Sequence, residues 1–451
     1  MLFSPALKVS AVTGALVLVG TSVLLSGSQG AVAAAAAAAP LAVAAAAQPH
    51  HGSPRPDHGR QWANTWMAAV THGDAAGSTN AGLNNQSVRL IVHTTVSGAQ
   101  VRVRLSNEHG DQAVSVGHAS VAKPDLSTAV GSDIDPASLH ELTFGGQASA
   151  VMNKGAELLS DPVDLAVGSQ QDLVVTVYFP TPTGPTTFHS TSRQHNFVGP
   201  TDLADATDGA GFTTTRTCCW FFLSGVDVLR HTNYGPVVVF GDSLGEGNGS
   251  TLDANTRWPN LLYARLAAAK GHDAPAVLNA SLAGNRLNHE GSEPGAGGFP
   301  GYNELGMNAL ARLDDDVFSE TRTQTVITDL GINDIWMSDD SATAIIATLR
   351  QLNSQLQEHG VRSLVATLAP YQGNGGPGVW TPEKDATRQA VNDYLRHSGE
   401  FDGVIDFDRV LRDPSNPAQL LPAFDSGDHI HPNDAGNQAM ADAVSLSMLS
   451  R

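Results

Sequence analysis

Pro236-Val-Val-Val-Phe-Gly-Asp-Ser243-Leu-Gly-Glu-Gly247 decides how this chain is read. Val237–Phe240 is short, continuous and apolar, as expected of a strand buried on both faces. It runs straight into a glycine-flanked turn that carries a serine. The same signature recurs downstream at Val277–Asn279, Val326–Leu330, Leu364–Leu368 and Val404–Asp406. Helical stretches are expected between these runs, at Pro259–Lys270, Met307–Phe318, Ala342–His359 and Glu383–His397. A last helix is expected from about Asp434 to Leu449. Strand and helix in alternation imply an α/β fold with a parallel sheet and helices on both faces. Ligands of such sheets bind beyond the carboxyl ends of the strands. Every chemical motif described below falls at such an end.

Upstream of residue 233 the period changes to two. Val88, Leu90 and Val92 alternate with Arg89, Ile91 and His93, and Val101, Val103 and Leu105 alternate with Arg102 and Arg104. Val114 and Val116 repeat the alternation, and Leu173–Phe179 is a further β-rich run closed by Pro180. Short strands separated by Gly, Asn, Asp and Pro predict an all-β, sandwich-like domain over residues 61–232, ahead of an α/β domain over 233–451.

The first residues read as a targeting segment. Lys8 precedes the apolar run Ala11–Leu25, and Ala31-Val-Ala33 offers a small-residue cleavage site. Residues 1–33 are therefore expected to be a secretory signal peptide, and the protein is expected to be secreted and extracellular. The competing reading is an uncleaved membrane anchor. The run is short, interrupted by glycine and followed by alanines, so no stable membrane insertion is expected after processing. Residues 34–60, rich in Ala and then in Pro, His and Gly, are expected to be a disordered linker.

Composition narrows the function. Against 25 Lys+Arg stand 44 Asp+Glu, a formal net charge of −19, which argues against nucleic acid as a partner. Two cysteines, adjacent at Cys218 and Cys219, exclude a disulfide scaffold and a cysteine-based zinc finger. Histidine is plentiful, but no metal-ligand spacing is present, so neither metal nor cofactor is expected. A monomer is expected.

A serine hydroxyl is a poor nucleophile until a base takes its proton. Asp425-Ser-Gly-Asp428-His-Ile-His431-Pro432 supplies a base before the last helix. A carboxylate at Asp428 can hold one ring nitrogen of His431 and present the other outward. His429 has the wrong spacing for the same partner and reads as a structural side chain. Negative charge on a carbonyl oxygen needs donors. Asn333, in Leu330-Gly-Ile-Asn-Asp334, and Gly284, in Asn279-Ala-Ser-Leu-Ala-Gly284-Asn-Arg286, both end strands, and the Ser243 N–H is a third candidate. Each piece also has an ordinary reading as a turn or a helix cap.

Taken in order, the four pieces resemble the SGNH hydrolase, or GDSL esterase/lipase, superfamily. They read G-D-S-x-x-x-G from Gly241 to Gly247, then Gly284, then G-x-N-D from Gly331 to Asp334, then D-x-x-H from Asp428 to His431. The match runs from about Asn233 to the C-terminus. It implies a three-layer α/β/α, flavodoxin-like domain. It also implies a Ser243–His431–Asp428 triad and an oxyanion hole of Ser243, Gly284 and Asn333. With a β-rich region first, and with Arg388–Asn392 and Phe401–Phe407 later, the layout is similar to secreted two-domain bacterial esterases. By that analogy the substrate is a small-molecule or polysaccharide ester, acylated plant polysaccharide included. Leu244-Gly-Glu246 departs from the Ile-Thr-Asp of many members and leaves substrate choice open. Gly241-x-Ser243-x-Gly245 also fits an α/β-hydrolase nucleophile elbow. Those enzymes place the serine after several strands and put acid and histidine on separate loops, which this chain does not. A reading from another class is a carbohydrate- or surface-binding protein with an inactive hydrolase domain. The intact Ser, Asn, Asp and His argue against it.

Other residues carry less. Asn288–Tyr302, with His289, Glu290, Phe299 and Tyr302, either lines the substrate pocket or is a surface loop. Trp336, Tyr371 and Trp380 are stacking walls or core. In an exported protein Cys218 and Cys219 could close a vicinal disulfide, but adjacent α-carbons lie closer than disulfides usually allow and the ring would be strained, so buried free thiols are the simpler expectation.

Overall fold

A computed structural model describes residues 59–73, 82–128, 131–376 and 378–449. The expected signal segment 1–33, and residues 34–58 of the expected linker, lie outside them. The described residues form one compact unit.

The α/β region is a five-stranded parallel sheet. Its strands are β1 (Val237–Gly241), β2 (Val277–Asn279), β3 (Thr325–Asp329), β4 (Arg362–Ala366) and β5 (Gly403–Ile405). Their order across the sheet is 2-1-3-4-5, the flavodoxin-like arrangement in which the chain reverses direction beside β1. Val238, Val239, Phe240, Val326, Ile327 and Leu364 are fully buried, which is why these strands are continuous apolar runs. Helices α1 (Ser243–Glu246), α2 (Trp258–Lys270), α3 (Ile332–Ser338), α4 (Ala342–Glu358), α5 (Pro382–His397), α6 (Phe407–Leu411) and α7 (Asp434–Ala443) complete this region. α4 turns Ile345, Leu349, Leu352 and Leu356 inward at helical spacing. No described helix is long and apolar enough to cross a membrane.

Two expected helices are shorter than the sequence suggests. Of Met307–Phe318 only Asp314–Phe318 is helical, a single wide turn in which the Ser319 N–H donates to the Asp314 carbonyl at 2.8 Å. Asn308 Oδ1 takes the N–H of Ala311 at 3.1 Å, and Arg312 turns inward to donate to the Ala280 carbonyl at 3.0 Å. These side-chain bonds displace a regular helix. α7 stops at Ala443, where Val444 becomes extended and Arg265 donates to the carbonyls of Ala441 and Val444. Leu446–Leu449 is a separate short turn.

The β-rich region is antiparallel. One sheet joins Arg60–Met67, Leu223–His231, Val101–Ser106 and Glu157–Leu159. A six-stranded sheet has Gln86–His93 and Asp172–Phe179 at its centre. Val88, Leu90, Val92, Val101, Val103 and Leu105 are all fully buried. The residues alternating with them on Gln86–His93 do not simply face water. Ile91 packs with Ala122, Ile134, Val174, Phe197 and Phe212 in a second, smaller apolar cluster. Arg89 is fully buried there. It stacks on Phe212 at 4.3 Å and donates to Thr176 Oγ1 and to the carbonyls of Ser132 and Ala206. Burial lowers its guanidinium to about 10.

The main apolar cluster is continuous between the regions, running from Trp66 and Trp220 to Val237 and Trp258. Cys218 and Cys219 are joined as a vicinal disulfide, which corrects the expectation of free thiols. Cys219 takes a positive φ of 79°, and this left-handed backbone lets two neighbouring residues close the ring.

Candidate active site

The serine turn is fixed by its flanks. Asp242 caps α1 by accepting the Leu244 N–H at 3.0 Å. Gly247 ends the helix at φ 77°, and a Cβ there would come within 2.4 Å of Arg257 Cγ. Ser243 is thereby held at the carboxyl end of β1, 5% exposed.

His431 Nε2 lies 2.8 Å from Ser243 Oγ, and its Nδ1 lies 2.6 Å from Asp428 Oδ2. Asp428 Oδ1 accepts the backbone N–H groups of His431 at 2.8 Å and Ile430 at 3.1 Å. Partial burial would raise the Asp428 carboxyl, but the bonds from His431 and the two N–H groups hold it well below the usual carboxylate range. A charged Asp428 fixes the proton on Nδ1, which leaves Nε2 free to accept from Ser243. The loop is anchored by Asn433, whose Nδ2 donates to the carbonyls of Ala423 and Asp425. Asp434 then ties it to the segment after α1 through the N–H of Thr251 at 2.8 Å. His429 has its own carboxylate: its Nδ1 lies 2.6 Å from Asp425 Oδ2.

Asn333 opens α3 just beyond β3. The Trp336 indole N–H can only donate, and it meets Asn333 Oδ1 at 2.8 Å. The Asn333 NH₂ group therefore faces the other way, to Asp242 Oδ2 at 3.2 Å and the Asn285 carbonyl at 3.0 Å. Those acceptors follow Gly284 and precede Ser243 in the chain, so one amide binds the three motifs together. Gly284 needs its positive φ of 74°, and a Cβ would fall 2.6 Å from Leu305 Cδ2. Among the described hydrogen bonds the N–H groups of Ser243 and Gly284 have no acceptor. The structure thus clusters all five expected site residues.

Asp242 and Asp334 appear in the sequence only as motif positions, and Arg312 and Arg286 carry no site signal there, yet all four hold this cluster. Burial, Asp329 and Asp334 push the Asp242 carboxyl well above its ordinary value. Asp334 accepts the N–H groups of Leu287 and Asn288, both at 2.9 Å, and burial raises it to about 6 against these bonds. Arg312, expected on a helix, instead donates to Asn285 Oδ1 at 3.0 Å and to the Gly241 carbonyl, and stacks on Phe240 at 4.3 Å. Arg286 holds the Asn288–Tyr302 loop through Ser338 and the carbonyls of Glu290 and Glu293. In that loop Phe299 packs edge-on against Trp336 and Tyr302. Tyr371 is core, fully buried. Among the described residues no group of three or more His, Cys, Asp or Glu is arranged to hold a metal ion.

A search of curated proteins finds no match. Among solved structures, the chain is similar to a putative arylesterase from Agrobacterium tumefaciens, at 22% identity and TM-score 0.35 over 47% of this chain and 97% of that one. It is similar to the acetyl xylan esterase AlAXEase at 19% identity and TM-score 0.34, over 46% of this chain and 96% of that one. A family two carbohydrate esterase from Cellvibrio japonicus aligns over 87% of this chain and 95% of its own, at 11% identity and TM-score 0.33. Residues 239–439, which contain every expected site residue, match the model of the GDSL-like lipase/acylhydrolase family, and this match supports the SGNH resemblance.

Proposed function

We propose that the protein is a secreted serine esterase that works through an acyl-enzyme and needs no metal or cofactor. The observation that carries this reading is the chain of contacts from Ser243 Oγ to His431 Nε2 and from His431 Nδ1 to Asp428. Ser243 attacks the ester carbonyl while His431 takes its proton, and the imidazolium that forms is stabilised by Asp428. The oxyanion accepts hydrogen bonds from the N–H groups of Ser243 and Gly284 and from the Asn333 amide, which exchanges its long bond to Asp242 for the oxyanion, each donor being worth about 3 kcal/mol in the transition state. Collapse returns the proton from His431 to the leaving alcohol. Water, activated by the same imidazole, then releases the acid and restores Ser243.

Acylated polysaccharide is the proposed substrate class, by analogy with the esterases named above. Export is proposed from the Lys8 and Ala11–Leu25 pattern, and the Cys218–Cys219 disulfide suits an oxidising compartment. Hydrolysis of p-nitrophenyl acetate by wild type and by Ser243→Ala tests the reaction. Loss of at least about a thousandfold in kcat is expected, and wild-type turnover by the variant would reject it. An ester panel of rising acyl length, run beside acetylated xylan, tests the substrate. Acetate release from the xylan is expected, and its absence beside rapid long-chain hydrolysis would reject polysaccharide.

A further inference from the structure

The nucleophile sits on a very short support. α1 is four residues long, with Ser243 at its start and Glu246 at its end. A single helical turn is not stable by itself, so its orientation must come from neighbours. At the Ser243 end these are β1 and the Asp242 cap. At the other end Asn279 Nδ2 donates to the Gly245 carbonyl at 2.8 Å, and a second neighbour belongs to the β-rich region.

Glu246 is 2% exposed, and no hydrogen-bond donor reaches either of its oxygens in line. Its polar contact is His189 Nε2, 3.0 Å from Oε1, and the His189 side chain is equally buried at 4%. His189 lies on the strand Thr187–His189, between Trp220-Phe221 and Thr71-His72. Its Nδ1 is 2.8 Å from the Ala69 carbonyl. A carbonyl only accepts, so Nδ1 carries a proton. In a neutral ring Nε2 would then present a lone pair to a carboxylate oxygen. Two buried acceptors at that separation repel, so a proton lies between them, on the imidazole or on the carboxyl.

The surroundings reinforce the grip. The His189 ring packs on Trp220 at 5.2 Å, and Trp220 lies under the Arg257 guanidinium at 5.4 Å. Arg257 precedes α2 and donates to the Ser192 carbonyl of the β-rich region. The charged groups acting on the pair and on Arg257 are Arg257 itself, Arg312, Arg193, Asp242 and Asp316.

We propose that His189 is a positioning residue for Ser243, holding the nucleophile turn from the β-rich region through a proton-bearing contact with Glu246. The inference rests on the serine-esterase reading. It makes the β-rich region part of the catalytic architecture.

The test uses the full-length protein and p-nitrophenyl acetate. His189→Leu removes the contact, and His189→Gln supplies a permanent N–H donor to Glu246. With circular dichroism confirming folding, His189→Leu is expected to lose about ten- to a hundredfold in kcat with KM within about twofold. His189→Gln should recover most of that loss, with KM again within about twofold. Wild-type kcat in folded His189→Leu, or no recovery in His189→Gln, overturns the proposal. Should His189→Leu fail to fold, Glu246→Ala probes the same contact from the other side. A matching loss of kcat there supports the proposal and a wild-type kcat overturns it. Ser243→Ala separates the two levels. Turnover in that variant rejects the serine mechanism itself, whereas an inactive Ser243→Ala beside an unaffected His189→Leu rejects only the role of the β-rich region.

Discussion

Val237–Gly241 and Gln86–His93 are both strands buried along their length, but by different means. β1 is the inner strand of a parallel sheet between β2 and β3, and its sequence is correspondingly all apolar. Gln86–His93 belongs to an antiparallel sheet whose second face is closed by loops and by the cluster around Phe197 and Phe212. There a charged residue, Arg89, is buried with carbonyl acceptors around it. In the first case composition reports burial directly. In the second, burial depends on segments far away in sequence, and the alternating pattern understates it. The α/β region places its catalytic polar side chains beyond the strand ends, where chemistry is possible, while the β-rich region uses the buried Arg89 to join its own layers.

The comparison predicts that polar substitutions at strand ends of the α/β region affect rate, and that those inside the β-rich sheet affect stability. Asp428→Asn, which removes the charge fixing the His431 tautomer, is expected to lower kcat by about a thousandfold or more with an unchanged unfolding midpoint. A loss below tenfold would break the assignment of the acid. Asn333→Ala is expected to cost about 10²–10³ in kcat, since it deletes an oxyanion donor and unties Asp242 from Asn285. A rise in KM alone would assign Asn333 to substrate binding instead. Arg89→Met strands the Ser132 and Ala206 carbonyls, and about 2–4 kcal/mol of stability should be lost with kcat retained. Chemical denaturation and initial rates on the same sample check both halves of that statement.

The smallest effect concerns pH. Glu320 has an Oε2 buried without a donor, and burial together with Asp227 raises its carboxyl to about 8. The folded chain keeps this proton where the unfolded chain, with an ordinary carboxyl near 4.3, has lost it. The stability it contributes is therefore present in acid and disappears as pH rises toward 8. Glu320→Gln should lose less of its melting temperature between pH 5.5 and 8.5 than wild type, by on the order of a few degrees. An identical loss in both proteins would show that Glu320 ionises freely.

How far the sequence discloses this molecule follows the same division. The five parallel strands, the serine turn and the Asp428–His431 spacing are local patterns, and each appears within a residue or two of where it was expected. Met307–Phe318 fails because its helical propensity is overridden by Arg312, which reaches Ala280, Asn285 and Gly241. The Asn333 amide was legible as a donor, but its orientation by Trp336 is a contact no spacing predicts in advance. The Cys218–Cys219 bond was obscured because it depends on a left-handed residue rather than on the distance between α-carbons. His189 and Glu246 were invisible as a pair because one lies on a strand of the β-rich region and the other ends α1, far away in sequence.

Labelling with a fluorophosphonate, followed by peptide mapping in a mass spectrometer, tests the central claim most directly. One adduct on Ser243 is predicted, with p-nitrophenyl acetate hydrolysis falling in proportion to labelling. Full hydrolysis by protein modified at Ser243, or inactivation with the adduct on another residue, would contradict the account.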